Sequence, residues 1–228
     1  MVAEWCLPRA ADAAFVAALE DVLDLYARPP DPARPLVCFD ESSKALQGHT
    51  RPPLPAAPGH PERIDSEYAR HGSAALSLWT APHLGTRGLL VTAQRRREEW
   101  ALAMRHLVEE VFPAAERIVL VLDNLNTHTA ASLYHTFPPD VARRLWTKLE
   151  LHYTPKHGSW LNIAECEFSA LKRQCLDRRL PDPETLRREV TAWAADRNAR
   201  QTGVVWHFTT ADARTKLHRL YPEPIYDK

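Results

Sequence analysis

No apolar run among the 228 residues approaches the roughly 20 that a membrane-spanning helix needs. The opening stretch, MVAEWCLPRAADAAF, lacks the basic-then-apolar layout of a secretory leader, so the expectation is a cytosolic protein. Cysteine is scarce: Cys6, Cys38, Cys166 and Cys175 are scattered, with no CxxC pair. That argues against a zinc ribbon and against a disulfide framework, and predicts reduced structural thiols. Net charge is missing as well, with 29 Lys and Arg against 29 Asp and Glu. A stand-alone nucleic-acid-binding protein is usually basic. There is no internal repeat, and no low-complexity tract beyond one proline cluster.

What is present is ordinary globular material. A hydrophobic share of 45% and a charged share of 25% suit one generous domain or two small ones. The charge is unevenly placed. Residues 1–40 hold seven acids and three bases, and residues 141–200 hold twelve bases and eight acids, so the C-terminal half is the part able to face phosphates.

Helical spacing of Phe15, Leu19, Val22, Leu23 and Tyr26 predicts an amphipathic helix over 10–29, ended by Pro29 and Pro30. RPLVCFDE (34–41) reads as a buried strand, and residues 49–65, with five prolines, as a long loop. A hairpin follows over 72–82 and 86–94, turning at HLG. Next come a helix over 97–112 and an aliphatic strand over 116–124. Two short helices parted at Pro138 and Pro139 lead to a strand over 149–155. Helices within 161–175, over 182–200 and near the C-terminus complete the chain. Three early strands in antiparallel order, then strands alternating with helices, predict an α/β fold with a mixed sheet of the RNase H-like kind.

Asp40 lies inside the first apolar run, where a carboxylate costs several kcal/mol unless paired or metal-bound. Glu41, one residue on, points to the opposite face of the strand. Asp123 ends IVLVLD, and ligands of α/β sheets gather at the carboxyl ends of strands. Asn124 and His128 just beyond it are candidate substrate contacts, although His128 reads more readily as part of the next helix cap. Two strand-end aspartates plus a glutamate from a helix form a hard, oxygen-only donor set of the kind Mg²⁺ takes. Two such ions about 4 Å apart clamp the attacking and leaving oxygens of an in-line phosphoryl displacement. The third acid is Glu165 or Glu167. On the helix whose apolar seam is Leu161, Ala164, Phe168, Leu171 and Cys175, Glu165 lies about 90° from the seam on one flank and Glu167 about 70° on the other. Geometry does not separate them, and Asn162-x-x-Glu165 also reads as a variant capping box. A phosphatase-like site with Asp40 as nucleophile lacks its DxD partner, because position 42 is Ser.

The segments CFDE (38–41), IVLVLDNLNTH (118–128) and HYTPKHGSWLNIAECEFSALKRQCLDRR (152–179) resemble the DDE transposases of the IS630/Tc1/mariner superfamily, on its IS630 side. LRREVTAWAADRN and FTTADARTKLHRLYP extend the likeness to the C-terminus. The resemblance implies an RNase H-like catalytic core over 36–228, with a proline-rich loop at about 42–70. Residues 1–35 resemble only the linker helix leading into such a core, and the helix-turn-helix units that precede it in family members have no counterpart here. It implies Asp40, Asp123 and Glu165 as catalytic and metal-binding acids, the last matching the LN-I-x-E pattern, and it leaves Glu167 as a flank residue. The 41 residues between Asp123 and Glu165 exceed the compact mariner-type interval, and the helix over 139–149 fills the difference.

The family mechanism is hydrolysis at each transposon end followed by attack of the freed 3′-hydroxyl on target DNA at a TA dinucleotide. Mg²⁺ serves as cofactor, as two ions that Mn²⁺ can replace, and the active complex is a homodimer. Lys156, His157, Lys172, Arg173, Arg178 and Arg179 are the expected DNA contacts. The proline-rich loop would reach a second subunit or DNA. An RNase H-like nuclease, or a non-catalytic DNA-binding or dimerising remnant, are the alternatives.

Overall fold

The computed structural model describes residues 7–223 and Tyr226. Cys6, one of the four expected thiols, lies outside the described residues, and Cys38, Cys166 and Cys175 are free.

Helix α1 (Ala13–Ala27) begins where Asp12 accepts the backbone N–H groups of Ala14 and Phe15, the usual role of a short acidic cap. Strand β1 (Leu36–His49) pairs antiparallel with β2 (Tyr68–Ala81), and β2 with β3 (Thr86–Thr92). Helix α2 (Arg97–His106) ends in a π turn at Leu107–Val111. Then come β4 (Ile118–Leu122), α3 (Ala130–Thr136), α4 (Pro139–Thr147) and β5 (Leu149–Tyr153). Helix α5 (Ile163–Leu171) also ends in a π turn, Lys172–Leu176, and is followed by α6 (Pro183–Ala199) and α7 (Thr210–Lys216). The sheet order is β3-β2-β1-β4-β5, with β1–β4 and β4–β5 parallel. The mixed five-stranded sheet flanked by helices is therefore as the sequence predicted.

Alternation along the central strands splits the core in two. Leu36, Cys38, Val119 and Val121 face α1, α5 and α6, while Val37, Phe39, Leu120 and Leu122 face α2, α3 and α4. Six buried residues of α1, Phe15 to Tyr26, belong to the first of these cores, so this helix is packed into the domain itself.

Two expectations need correcting. β1 does not stop at residue 41 but runs on to His49, because its polar half pairs with Tyr68–Ala75 of β2 across a register shift between Ala45 and Gln47. The proline-rich loop is correspondingly shorter than 42–70. It occupies the residues between β1 and β2 and folds back on itself through isolated bridges at Leu54–Arg63 and Ala57–His60. Leu54 and Ile64 stand exposed on it.

Candidate active site

Asp40 is not at the end of β1, as the apolar run suggested, but at the point where β1 loses its parallel neighbour. The last parallel pair is Cys38 with Val121. Two residues further along each chain come Asp40, on the face of Cys38, and Asp123, just past the end of β4. The face of Cys38 is the one α5 covers. β1 continues past this point only because β2 supports it.

Asn162 joins α5 to the same spot. Its Oδ1 accepts the N–H of Ala164, capping the helix, and its Nδ2 donates to the carbonyl of Phe39 at 2.9 Å. The backbone N–H of Asn162 bonds to Ser159, so no capping box engages Glu165, whose carboxylate stays free in the first turn of α5. The hydroxyl of Tyr26 holds the carbonyl of Leu161 at 2.5 Å from below. Asp40 and Glu165 line one cleft of about 280 Å³ together with Ser42, Ser169 and Lys172. Asp123 and Asn124 line a separate groove of about 580 Å³, whose other wall carries Lys156 and His157.

Burial pushes the carboxyl of Asp40 up to about 7, against the N–H of Glu41 that it accepts at 2.7 Å. The negative charges of Asp123, Glu165 and Glu41 push it further the same way. Asp40 thus feels the charge of the other two predicted acids. Among the described residues, however, no three carboxylate, thiol or imidazole groups yet surround a single point where an ion would sit. The three acids are an oxygen-only donor set, which fits a hard divalent cation.

Glu167 is no solvated flank residue. It is 2% exposed, its Oε2 lies 3.0 Å from Nε of Arg87, and its Oε1 accepts from Arg197 at 3.0 Å. Arg87 is itself buried, donating to Asn198 and to the carbonyl of Thr202. The two glutamates, two residues apart on α5, face opposite ways: Glu165 into the cleft, Glu167 into a buried ion cluster joining β3, α5 and α6. An arginine inside the apolar strand TRGLL was the sequence signal for this cluster.

His128 is not a substrate contact. It is fully buried, stacked on Trp100 with ring centroids 5.5 Å apart, and its Nδ1 is 3.0 Å from the carbonyl oxygen of Asp123. Burial pulls its pKa down, but the acceptors of Asp123 and the charge of Glu41 outweigh this and raise it. Asn124, by contrast, is exposed.

The basic residues divide. Arg179 donates to the carbonyls of Asp65, Ser66 and Glu67 and lies over the ring of Tyr68, so it braces the base of the proline-rich segment instead of facing solvent anions. Arg178 is paired with Glu189. Lys156, His157, Lys172 and Arg173 are exposed and, among the described residues, form no ion pair. The loop that carries the first two leaves β5 and turns at Pro155–Gly158, with His157 in the left-handed region at φ 66°. A side chain on Gly158 would run into Pro155 at 2.5 Å, so only glycine closes this turn.

The mixed sheet with helices on both faces, and its carboxylates gathered where the central strands part, make this an RNase H-like α/β domain. In fold it is similar to transposase structures. The Mos1 mariner paired-end complex with Mn matches at a TM-score of 0.55 and 18% identity, covering 89% of this chain and 62% of that one. The Mos1 strand transfer complex matches at 0.62 and 16%, covering 98% and 67%. The catalytic domain of Mos1 mariner transposase matches at 0.56 and 14%, covering 96% and 100%. The chain thus spans less than two thirds of the Mos1 chain in the first of these. No curated protein sequence matches it. The DDE superfamily endonuclease pattern matches residues 35–187, and the chain belongs to that family. Among the described residues no helix is long and apolar enough to cross a membrane.

Proposed function

We propose that this chain is the catalytic core of an IS630-type transposase, cutting and joining DNA with Asp40, Asp123 and Glu165 as the acids that bind divalent metal. One observation carries the reading: Asp40 and Asp123 each follow the last parallel pair, Cys38 with Val121, by two residues, and Asn162 ties the helix bearing Glu165 to the carbonyl just before Asp40. The Mos1 relatives support the choice of cofactor, since paired-end complexes of that transposase are described with Mn and with Mg.

A divalent cation, or a pair of them, supplies a Lewis acid that activates the attacking oxygen and offsets charge on the leaving one. The chain's own residues do the rest. Asp40 and Glu165 line one narrow cleft and, with Asp123, would hold the cation through carboxylate oxygens. Lys172, two turns beyond Glu165 on the same helix face, stands at the cleft's rim to meet a phosphate oxygen. Lys156, His157 and Asn124 line the groove that leads the strand past Asp123. These contacts neutralise phosphates without reading bases, so affinity is salt-dependent and largely sequence-blind.

The DNA partners on this reading are transposon ends and a TA-containing target, handled by a homodimer. The exposed Leu54 and Ile64 of the proline-rich segment are suited to contact with a second subunit. The domain division follows the same reading, with the family core taken from near residue 36 and α1 packed against it. The test is cleavage of plasmid DNA with Mn²⁺ or Mg²⁺, followed by transfer of a 3′-hydroxyl oligonucleotide into a TA-bearing target. Both activities are expected in the wild type and neither in Glu165→Gln. Nicking without joining would make the chain a nuclease, and metal-dependent nicking that survives Glu165→Gln would move the chemistry elsewhere.

A further inference from the structure

We propose that His128 is a positioning residue for Asp123, fixing which of its two carboxylate oxygens faces the metal site; this rests on the reading above. The side chain of Asp123 is 40% exposed, yet its Oδ1 is buried. That oxygen is turned inward against the imidazole, in a 2.9 Å charge contact with Nδ1, while the hydrogen bond of Nδ1 goes to the Asp123 carbonyl at 3.0 Å. Only Oδ2 is left for a ligand in the groove.

The imidazole is in turn held on every side. Trp100 stacks on it, Phe39 meets it edge-on at 5.9 Å, and the hydroxyl of Tyr153 donates to its backbone carbonyl at 2.8 Å. Its Nε2 has no hydrogen-bond partner and looks across 3.9 Å to Oε2 of Glu41, the acid that follows Asp40 on β1 and points to the other face of the sheet. The imidazole therefore bridges the two central strands behind the carboxylates, while α5 closes them in front. Asp123 sits just past the end of β4, at the start of an exposed loop, where an untethered carboxylate would rotate freely. Tethering one oxygen makes Asp123 a single-oxygen ligand of set direction. Outer partners of metal ligands act in this way, and removing one typically costs about 10–100-fold in metal affinity.

Three variants separate positioning from packing, each read by Mn²⁺ calorimetry on the full chain together with its melting temperature. His128→Asn places an amide N–H near the Nδ1 position and should hold Mn²⁺ within about threefold of wild type. His128→Gln reaches toward Glu41 instead and leaves Asp123 untethered, so it should bind about 10–100-fold more weakly. His128→Phe keeps the ring stacked on Trp100 without any donor and should show the same loss. If the Phe variant does not fold, the Asn and Gln pair decides alone. Equal affinity in the Asn and Gln variants, or a folded Phe variant that binds like wild type, overturns the inference and leaves the metal site standing. A wild-type chain that takes up no Mn²⁺ removes the metal site and the inference with it.

Discussion

Replacing Glu165 and Glu167 by glutamine, one at a time, probes two opposite roles on one helix. Each change keeps shape and removes one negative charge. In Glu167→Gln the lost charge leaves Arg87 and Arg197 facing each other in a buried cluster, where Arg87 is 1% exposed and already pulled down by its burial. Removing one partner of a buried ion pair costs about 3–5 kcal/mol, because the remaining charge is left uncompensated. For a chain of this size each kcal/mol is about 2–4 °C, so the melting temperature should fall by roughly 10 °C. In Glu165→Gln nothing buried loses a partner, and the charge removed is one that disfavours ionised Asp40. Its melting temperature should stay within about 2 °C of wild type or rise. Activity reverses the ranking at a temperature where both are folded. Glu165→Gln should lose at least about 100-fold, a barrier increase of roughly 3 kcal/mol, while folded Glu167→Gln keeps most of its rate. Differential scanning calorimetry and single-turnover nicking measure the two effects. A Glu167→Gln protein as stable as wild type, or a Glu165→Gln protein that still cuts, would refute the division of labour.

Because the carboxyl of Asp40 is pushed up to about 7, a proton competes with the cation there. Mn²⁺ affinity should therefore fall about tenfold per pH unit below about 7 and level off above it, and calorimetry at several pH values that showed a flat profile would remove the claim. The metal-free protein has the opposite sign: the unfolded chain ionises Asp40 near pH 4 and the folded one only near 7, so stability falls across that window as pH rises. Asp40→Asn should abolish that decline in thermal melts. Lys156→Ala, Lys172→Ala and Arg173→Ala should each lower the log–log salt slope of duplex binding by about 0.9. Arg178→Ala and Arg179→Ala should leave the slope unchanged, since Glu189 and the carbonyls of Asp65, Ser66 and Glu67 already hold those guanidinium groups. Fluorescence anisotropy from low to moderate salt distinguishes the two sets.

Periodicity and punctuation made most elements legible, and where they were not, long-range pairing decided. The seam of α5 and the break at Pro138 and Pro139 are local, and both stand in the structure. The second half of β1 was not readable, because SSKALQGH becomes strand only by pairing with a segment some thirty residues away. Asp40 and Asp123 were legible as acids in apolar runs, but that both follow the last parallel pair depends on β1 and β4 lying side by side, which no single-strand pattern states. Glu167 was misread for a related reason. Its partners Arg87 and Arg197 come from β3 and α6, so helical angle alone left it on a flank. Arg178 and Arg179 show the limit of reading charge from sequence, where a basic cluster looks the same whether it faces phosphates or its own carbonyls.

The most direct test of the central claim is anomalous scattering from a crystal of this protein grown or soaked with Mn²⁺. The account predicts a peak in the cleft between β1, β4 and α5, with carboxylate oxygens of Asp40, of Asp123 through Oδ2, and of Glu165 at coordination distance, roughly 2.0–2.3 Å. A peak coordinated elsewhere, or one at these strands that leaves out Glu165 in favour of another acid, would contradict it.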